Sequence, residues 1–311
     1  MINSGSHKTN LKKMKITFKQ TRIFSAFIFI LPGLILFLIF SVYPVFKLFE
    51  ISFTDWSVNP NIPSKFIGLT NYSNAFLDPS VGVAFRNTLI YTIITVIGQL
   101  FLGLLGALLL NSITRGKNLF RTLYYLPVIT SWVVVSLLFK YIFQSPSGVI
   151  NNLLVNTFHL AQDPIPFLRN ANTAMIPVWA LGIWKGIGWT MVIFLAALQT
   201  IPKEIYESAS VDGANYKEQL IHITLPLIRP TFVFTTVMLM IGGFNVFMSV
   251  FLITQGGPLG RTEVLLSYMY HQAFGYLEFG YGAAISFILA AIIIAASYIQ
   301  IRFFRKPVEI V

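Results

Sequence analysis

A chain of 311 residues with 55% hydrophobic and 11% charged residues, and a mean hydropathy of +0.72, lacks the charge to cover a water-facing exterior. Soluble domains carry about 25% charged residues, so a compact soluble enzyme is excluded first. The absence of cysteine removes disulfides, thiolate metal sites and cysteine nucleophiles, and the net charge of +11 sits mostly between apolar runs, where it orients a membrane protein instead of binding nucleic acid.

About 20 apolar residues cross a hydrocarbon core of about 30 Å. Six runs qualify or nearly qualify: Ile23–Phe46, Asn87–Leu110, Leu123–Phe143, Thr173–Leu198, Thr231–Ile253 and Tyr276–Ile301. The first is too long for a cleavable signal peptide, and no small-residue cleavage site follows it. Strand-like alternation is absent, which argues against a β-barrel. The expected fold is an all-α polytopic membrane protein with six transmembrane helices.

Cations cluster before the first run (Lys8, Lys12, Lys13, Lys15, Lys19, Arg22), after the second (Arg115, Lys117, Arg121), after the fourth (Lys203, Lys217, Arg229) and after the sixth (Arg302, Arg305, Lys306). The alternate connections hold only Lys47, Lys65, Arg86, Arg169 and Arg261. Both termini are therefore expected in the cytoplasm. The chain divides into a basic segment 1–22, a six-helix domain 23–301 and a cytoplasmic tail 302–311. The outer stretches 47–84 and 144–171 are too short for independent domains.

The cytoplasmic segment 200–230 is too amphipathic for a plain connector. Pro202 and Glu204 mark a helix start, since proline suits the first turn and acids suit the positive end of the dipole. Ile205, Ala209 and Val211 are expected near one face. Gly213 ends the helix, a second one runs from about Asn215 to His222, and Pro226 and Pro230 lead into the fifth run. The expected shape is a helix–Gly–helix knob projecting from the membrane.

Spacing within the knob carries a resemblance. Glu207, Ser208, Ala209, Gly213, Ile223, Leu225 and Pro226 match E-A-A-x3-G-x9-I-x-L-P at every position except Ser208, a small-for-small change. That pattern resembles the coupling loop of permease subunits in binding-protein-dependent ABC importers. Segments 115–127, 139–151, 254–265 and 281–286 are similar to MalF/UgpA-type carbohydrate permeases, so the likeness spans roughly residues 20–305. It implies a type I ABC importer permease (MetI-like) fold in a prokaryotic cell membrane. It also implies a second permease subunit, two ATPase subunits that use ATP and Mg, and an extracytoplasmic solute-binding protein. No cofactor is expected on this chain: no G-x-x-x-x-G-K-[ST] occurs, and Gly116-Lys117 is followed by Asn118. Glu207 would be the charged contact to the ATPase, and Gly213 would set the angle between the knob helices.

The resemblance further implies a substrate pathway past Trp132, Trp184, Lys185, Gly186, Trp189, Leu239, Gly242, Gly243 and Asn245. Aromatic faces stack on sugar rings, and glycines leave room for a bulky hydroxylated solute. The alternative reading of each tryptophan is interfacial anchoring or helix packing, and of each glycine close helix packing. Lys185 is ionisable at membrane depth, where insertion costs about 2.5–3.5 kcal/mol. It would bind a hydroxyl or an anion, or snorkel to an interface. A di- or oligosaccharide is the expected solute, with glycerol phosphate or another polyol second. An ion-coupled carrier fits less well, because the acids at 50, 55, 78, 163, 263 and 278 all sit at loops or span ends. A catalytic or metal site is not expected either, since all four histidines fall outside the runs.

Overall fold

The computed structural model describes residues 27–56, 63–113 and 115–304. The basic segment 1–22, the start of the first run, and the tail cations Arg305 and Lys306 lie outside the described residues. Five helices are long and apolar enough to cross a membrane: span 1 (Phe27–Ile51), span 2 (Pro79–Ser112), span 4 (Ile176–Leu198), span 5 (Arg229–Ile253) and span 6 (Phe279–Phe303). Span 3 completes six only if Lys117–Ile129 and Trp132–Ile142, bent by 91°, count as one.

That bend corrects the expected run Leu123–Phe143. Thr130 and Ser131 both take extended backbone angles, so the helical ladder stops at Ile129 and restarts at Trp132. Pro127, inside the first piece, has no N–H to give to the preceding turn. Span 5 is also interrupted: Arg229–Phe244 ends at Asn245, and helix resumes at Met248–Ile253. Hydropathy reads straight through both breaks, because they are events of the backbone and not of side-chain polarity.

Span 2 begins eight residues before the expected Asn87. Asp78 caps it by accepting the Ser80 N–H at 2.8 Å, and Pro79 occupies the first turn, where its missing N–H costs nothing. The result is a 34-residue helix. At 1.5 Å per residue it is about 50 Å long, enough to stand clear of the hydrocarbon core. Asp78 also accepts hydroxyl hydrogen bonds from Tyr268 at 2.6 Å and Tyr281 at 2.8 Å. Partial burial works against its charge, but the bonds from Tyr268, Ser80 and Tyr281 outweigh it and hold the carboxyl below 3.8. Burial and the neighbouring Asp78 together push the Tyr268 hydroxyl up to about 12.

Spans 2 and 4 form the centre, packed through small residues. In lipid there is no hydrophobic drive between helices, so association rests on close backbone approach and dispersion. A Cβ at Gly103 would come within 2.6 Å of Thr190, and one at Gly98 within 2.7 Å of Ile183. Toward the end bearing residues 203–227, Val96, Leu100 and Leu110 pack with Met191, Phe194, Leu195 and Ile228. Toward the opposite end, Val135 of span 3, Val178 and Leu181 of span 4 and Val250 of span 5 form a second cluster. Phe244, Leu265, Ile285 and Leu289 form a third around span 6.

Span 1 stands largely apart. None of its residues is buried, and it meets span 6 near its end through Phe49 and Phe287, whose ring centroids are 5.1 Å apart. Beyond it, Thr54 pairs with Phe66 and Asp55 with Lys65 in a two-residue antiparallel ladder. Helix Thr70–Leu77 then leads to span 2, its Asn71 amide donating to the Ser52 and Thr54 carbonyls.

Candidate functional site

A cavity of about 290 Å³ opens between spans 2, 4 and 5 and the break in span 3. Seven of the nine pathway residues expected from sequence line it: Trp132, Lys185, Gly186, Trp189, Leu239, Gly242 and Gly243. Tyr91, Thr95 and Gln99 of span 2, with Val128 of span 3, Gly182 of span 4 and Met238 of span 5, complete the wall, and sequence reading missed all six. The signal for the three span 2 residues was present, since Tyr91, Thr95 and Gln99 recur at the four-residue spacing of one helix face.

Trp184 and Asn245 lie elsewhere. Trp184 is one residue, about 100° of helix turn, away from Lys185. It faces a separate cleft with Phe120, Leu123, Tyr124 and Pro127, its ring 5.6 Å from that of Phe139. Asn245 ends the first piece of span 5, where its amide turns back to the Ile241 carbonyl at 2.8 Å.

The glycines divide by what surrounds them. At Gly186 an added Cβ would collide with the Gln99 amide, and at Gly182 with the Tyr91 hydroxyl. Gly243 lies against Thr92 in the same way. These three let spans 2, 4 and 5 close around the cavity. Gly242 is different: a Cβ there meets nothing within 4 Å, so its missing side chain is open cavity.

Lys185 is buried, with 5% of its surface exposed. Its Nζ donates to the carbonyls of Pro127 at 2.8 Å, Val128 at 3.2 Å and Thr130 at 2.6 Å, all at the break in span 3. The ammonium has three N–H groups, and each has an acceptor. It also sits 5.0 Å from the centroid of the Trp132 ring. It neither snorkels to an interface nor points a free donor into the cavity. Lys140 lies instead at the last turn of Trp132–Ile142, beside a second cleft that it shares with Arg169.

The knob is a preformed unit. Pro202 precedes helix Lys203–Val211, with Glu204 in the first turn. Gly213 has φ +87°, a left-handed conformation that glycine adopts without a Cβ clash. Asn215 then opens Tyr216–Gln219 with a capping box: its side chain accepts from the Lys217 and Glu218 N–H groups, and the Glu218 carboxylate accepts from the Asn215 N–H. A wide turn, Leu220–Thr224, carries the chain to Leu225–Leu227 and span 5, so the second helix is shorter than the expected Asn215–His222.

Two side-chain bonds tie the halves of the knob: Tyr206 hydroxyl to Thr224 hydroxyl at 3.0 Å, and Gln219 amide to Ser210 hydroxyl at 2.8 Å. Ile223 and Leu225 are half-buried, and Leu225 packs on the cluster that joins spans 2 and 4. Pro226 is exposed, Ala209 half-buried, and Ser208 bonds back to the Ile205 carbonyl at 3.0 Å. The expectation for Val211 is corrected. It lies about 240° around the helix from Ile205 and is 89% exposed at the tip, while Tyr206 faces inward. Glu207 is exposed beside it and, among the described residues, forms no ion pair.

Comparison with known proteins bears out the resemblance. Residues 99–307 match the family described as binding-protein-dependent transport system inner membrane component. The probable ABC transporter permease protein YurN of Bacillus subtilis (strain 168) is 35% identical over 286 residues, covering 91% of this chain and 97% of YurN. The arabinooligosaccharides transport system permease protein AraP of the same organism is 35% identical over 279 residues, with 89% and 87% covered. Among solved structures, a chain of a bacterial ABC transporter involved in the import of the acidic polysaccharide alginate superposes with a TM-score of 0.81 at 26% identity, covering 94% of this chain and 98% of that one. The alginate transporter solved in complex with alginate pentasaccharide-bound periplasmic protein gives 0.78 at 25% identity, with 92% and 95% covered. With five long apolar helices, six if the bent pair counts as one, a ready-made projecting knob and these likenesses along nearly its whole length, the chain belongs to the family of inner membrane components of binding-protein-dependent transport systems.

Proposed function

We propose that this chain is the permease subunit of an ATP-driven importer of di- or oligosaccharides. It supplies half of the translocation pathway and meets its ATPase through residues 204–226. The preformed knob carries this reading. Its helices are tied to each other and to spans 2, 4 and 5, while its tip presents Val211, uncovered, with Glu207 beside it. A rigid projection with an apolar tip transmits displacement, and both helices that flank it line the cavity. Closure of an ATPase pair on the knob then tilts spans 4 and 5 as bodies and alternates access to the cavity.

In this reading both termini and the knob face the cytoplasm. A second permease subunit closes the pathway, two ATPase subunits use ATP and Mg²⁺, and a solute-binding protein delivers from outside. Trp132, Trp189 and Tyr91 put aromatic rings on the wall for a sugar, and Gln99, whose amide N–H is engaged by the Gly182 carbonyl, leaves its side-chain oxygen as an acceptor. AraP and the alginate importer, which handle oligomeric sugars by their names, support this class. A phosphate-bearing solute finds little here, since the Lys185 donors are already engaged by backbone carbonyls.

The test is ATP hydrolysis by the complex reconstituted in vesicles with a panel of solute-loaded binding proteins. An oligosaccharide-loaded protein is expected to stimulate hydrolysis and uptake together. Uptake that continues undiminished without hydrolysis would end the proposal.

A further inference from the structure

Lys185 sits at the meeting point of three features that belong to different parts of the chain. The first is the 91° bend of span 3. The second is the set of carbonyls that the bend strips of their helical partners. In an uninterrupted α-helix Pro127, Val128 and Thr130 would accept from the N–H groups of Ser131, Trp132 and Val134. Here they accept from one ammonium instead, and the Thr130 hydroxyl adds a second bond to Pro127 at 2.6 Å. The third is Trp132, the first residue of the outer piece, whose ring stands over the same ammonium and on the cavity wall.

We propose that Lys185 is a positioning residue: its ammonium caps the broken end of Lys117–Ile129 and fixes the bend that sets Trp132 on the cavity wall. Carbonyls freed at membrane depth must find donors inside the protein or in a cavity, and here the Lys185 ammonium supplies all three. A lysine does this without the fixed fork of an arginine, because three N–H groups on one nitrogen converge on acceptors from three directions. Gly188 lies three residues further along span 4, and an added Cβ there would run into the Tyr124 carbonyl. Span 4 therefore approaches span 3 closely enough for a side chain to reach the break. Removing the ammonium leaves the three carbonyls one ready set of donors, the N–H groups of the next turn. The segment should then relax toward a continuous helix, carrying Trp132 off the wall.

This deepens the transport reading, since the wall in question is that of the proposed pathway. The measurement, however, reports the bend whatever solute passes. The chain has no cysteine, so N118C and Y141C place two spin labels at the exposed ends of the two pieces without competition from this subunit. At a right-angle bend the labelled positions lie about 22 Å apart, and in one continuous helix about 35 Å. Double electron–electron resonance on the assembled complex, with partners freed of cysteine, should give one short distance with Lys185 in place. K185M should move or broaden the distribution toward the long distance and lower the rate of uptake about tenfold or more. K185R, which keeps the charge and N–H donors but spreads them over a fixed fork, should return the distribution most of the way to the short distance. An unchanged distribution in K185M would overturn the proposal. Together with a raised half-saturation for the solute, it would make Lys185 a solute contact. If K185M fails to assemble, K185Q, uncharged, one atom shorter and with two N–H groups for three carbonyls, should still broaden the distribution, and an unchanged short, narrow distance there overturns the proposal equally. Native uptake in K185M despite the predicted distance change would count against the transport reading alone.

Discussion

A Cβ added at Gly188 would meet the carbonyl of Tyr124, a backbone atom that no rotamer change can move aside. At Gly186 the obstacle is the Gln99 amide, the far end of a flexible side chain, which could swing away from its bond to the Gly182 carbonyl. The two positions are therefore expected to respond differently. Gly188→Ala should push the first piece of span 3 off span 4, costing about 1–3 kcal/mol as overpacking does, and should lower the thermal midpoint of the purified chain. Gly186→Ala should leave that midpoint nearer the native value, because Gln99 can yield. Equal midpoints for the two variants would contradict the packing described here. Sequence identifies both residues as small and suited to close helix contact. Only the neighbours, 64 and 87 residues away in the chain at Tyr124 and Gln99, tell a rigid obstacle from a movable one. The tryptophans teach the same lesson: Trp184 and Trp189 differ by half a turn or so, and one faces the cavity while the other faces a cleft against Phe120.

Helix ends were far more legible than helix interruptions. Pro202, Glu204 and Gly213 each act locally, through a missing N–H, a dipole and a positive φ, so the limits of the first knob helix follow from a few neighbouring residues. The breaks in spans 3 and 5 do not follow this way. Thr130 and Ser131 carry no strong signal, Pro127 lies three residues early, and the group that makes the bend tolerable is a lysine 55 residues further on. Lys185 looked like a candidate ligand because its acceptors are backbone oxygens, and backbone oxygens have no letter in a sequence. At the knob, the exposed tip gives a sharp expectation. Val211→Asp places a charge where an apolar partner surface would close, and among the described residues none covers the position. Co-purification with the ATPase subunits should be lost, while the thermal midpoint of the permease stays native. Glu207→Ala should weaken that association less, since an exposed ion pair is typically worth about 0–1 kcal/mol. If Val211→Asp retains the ATPases and full uptake, the knob is not the docking surface.

Across the whole molecule, the cavity is too small to stand alone as a path for an oligosaccharide. Its volume of about 290 Å³ falls at the lower limit of sites that hold even one small ligand. A larger passage therefore needs a facing wall, and span 1, unburied along its length, shows how much of this chain is left to lipid or to another subunit. Gly242 offers the cleanest probe of the path. It lies on the cavity wall in span 5, the helix into which the knob runs, and its missing side chain touches nothing. Gly242→Trp should therefore fill the passage without disturbing a packed contact. The thermal midpoint and binding of the ATPase subunits are expected to stay native, because neither the span 2–span 4 seam nor the knob is altered. Hydrolysis should still rise when the loaded binding protein docks, since the lever from knob to spans 4 and 5 is intact. Uptake should fall to background, so that each turnover of nucleotide moves nothing. Native uptake in Gly242→Trp would mean that the solute passes somewhere other than this cavity, and the path would have to be sought along another face of the bundle.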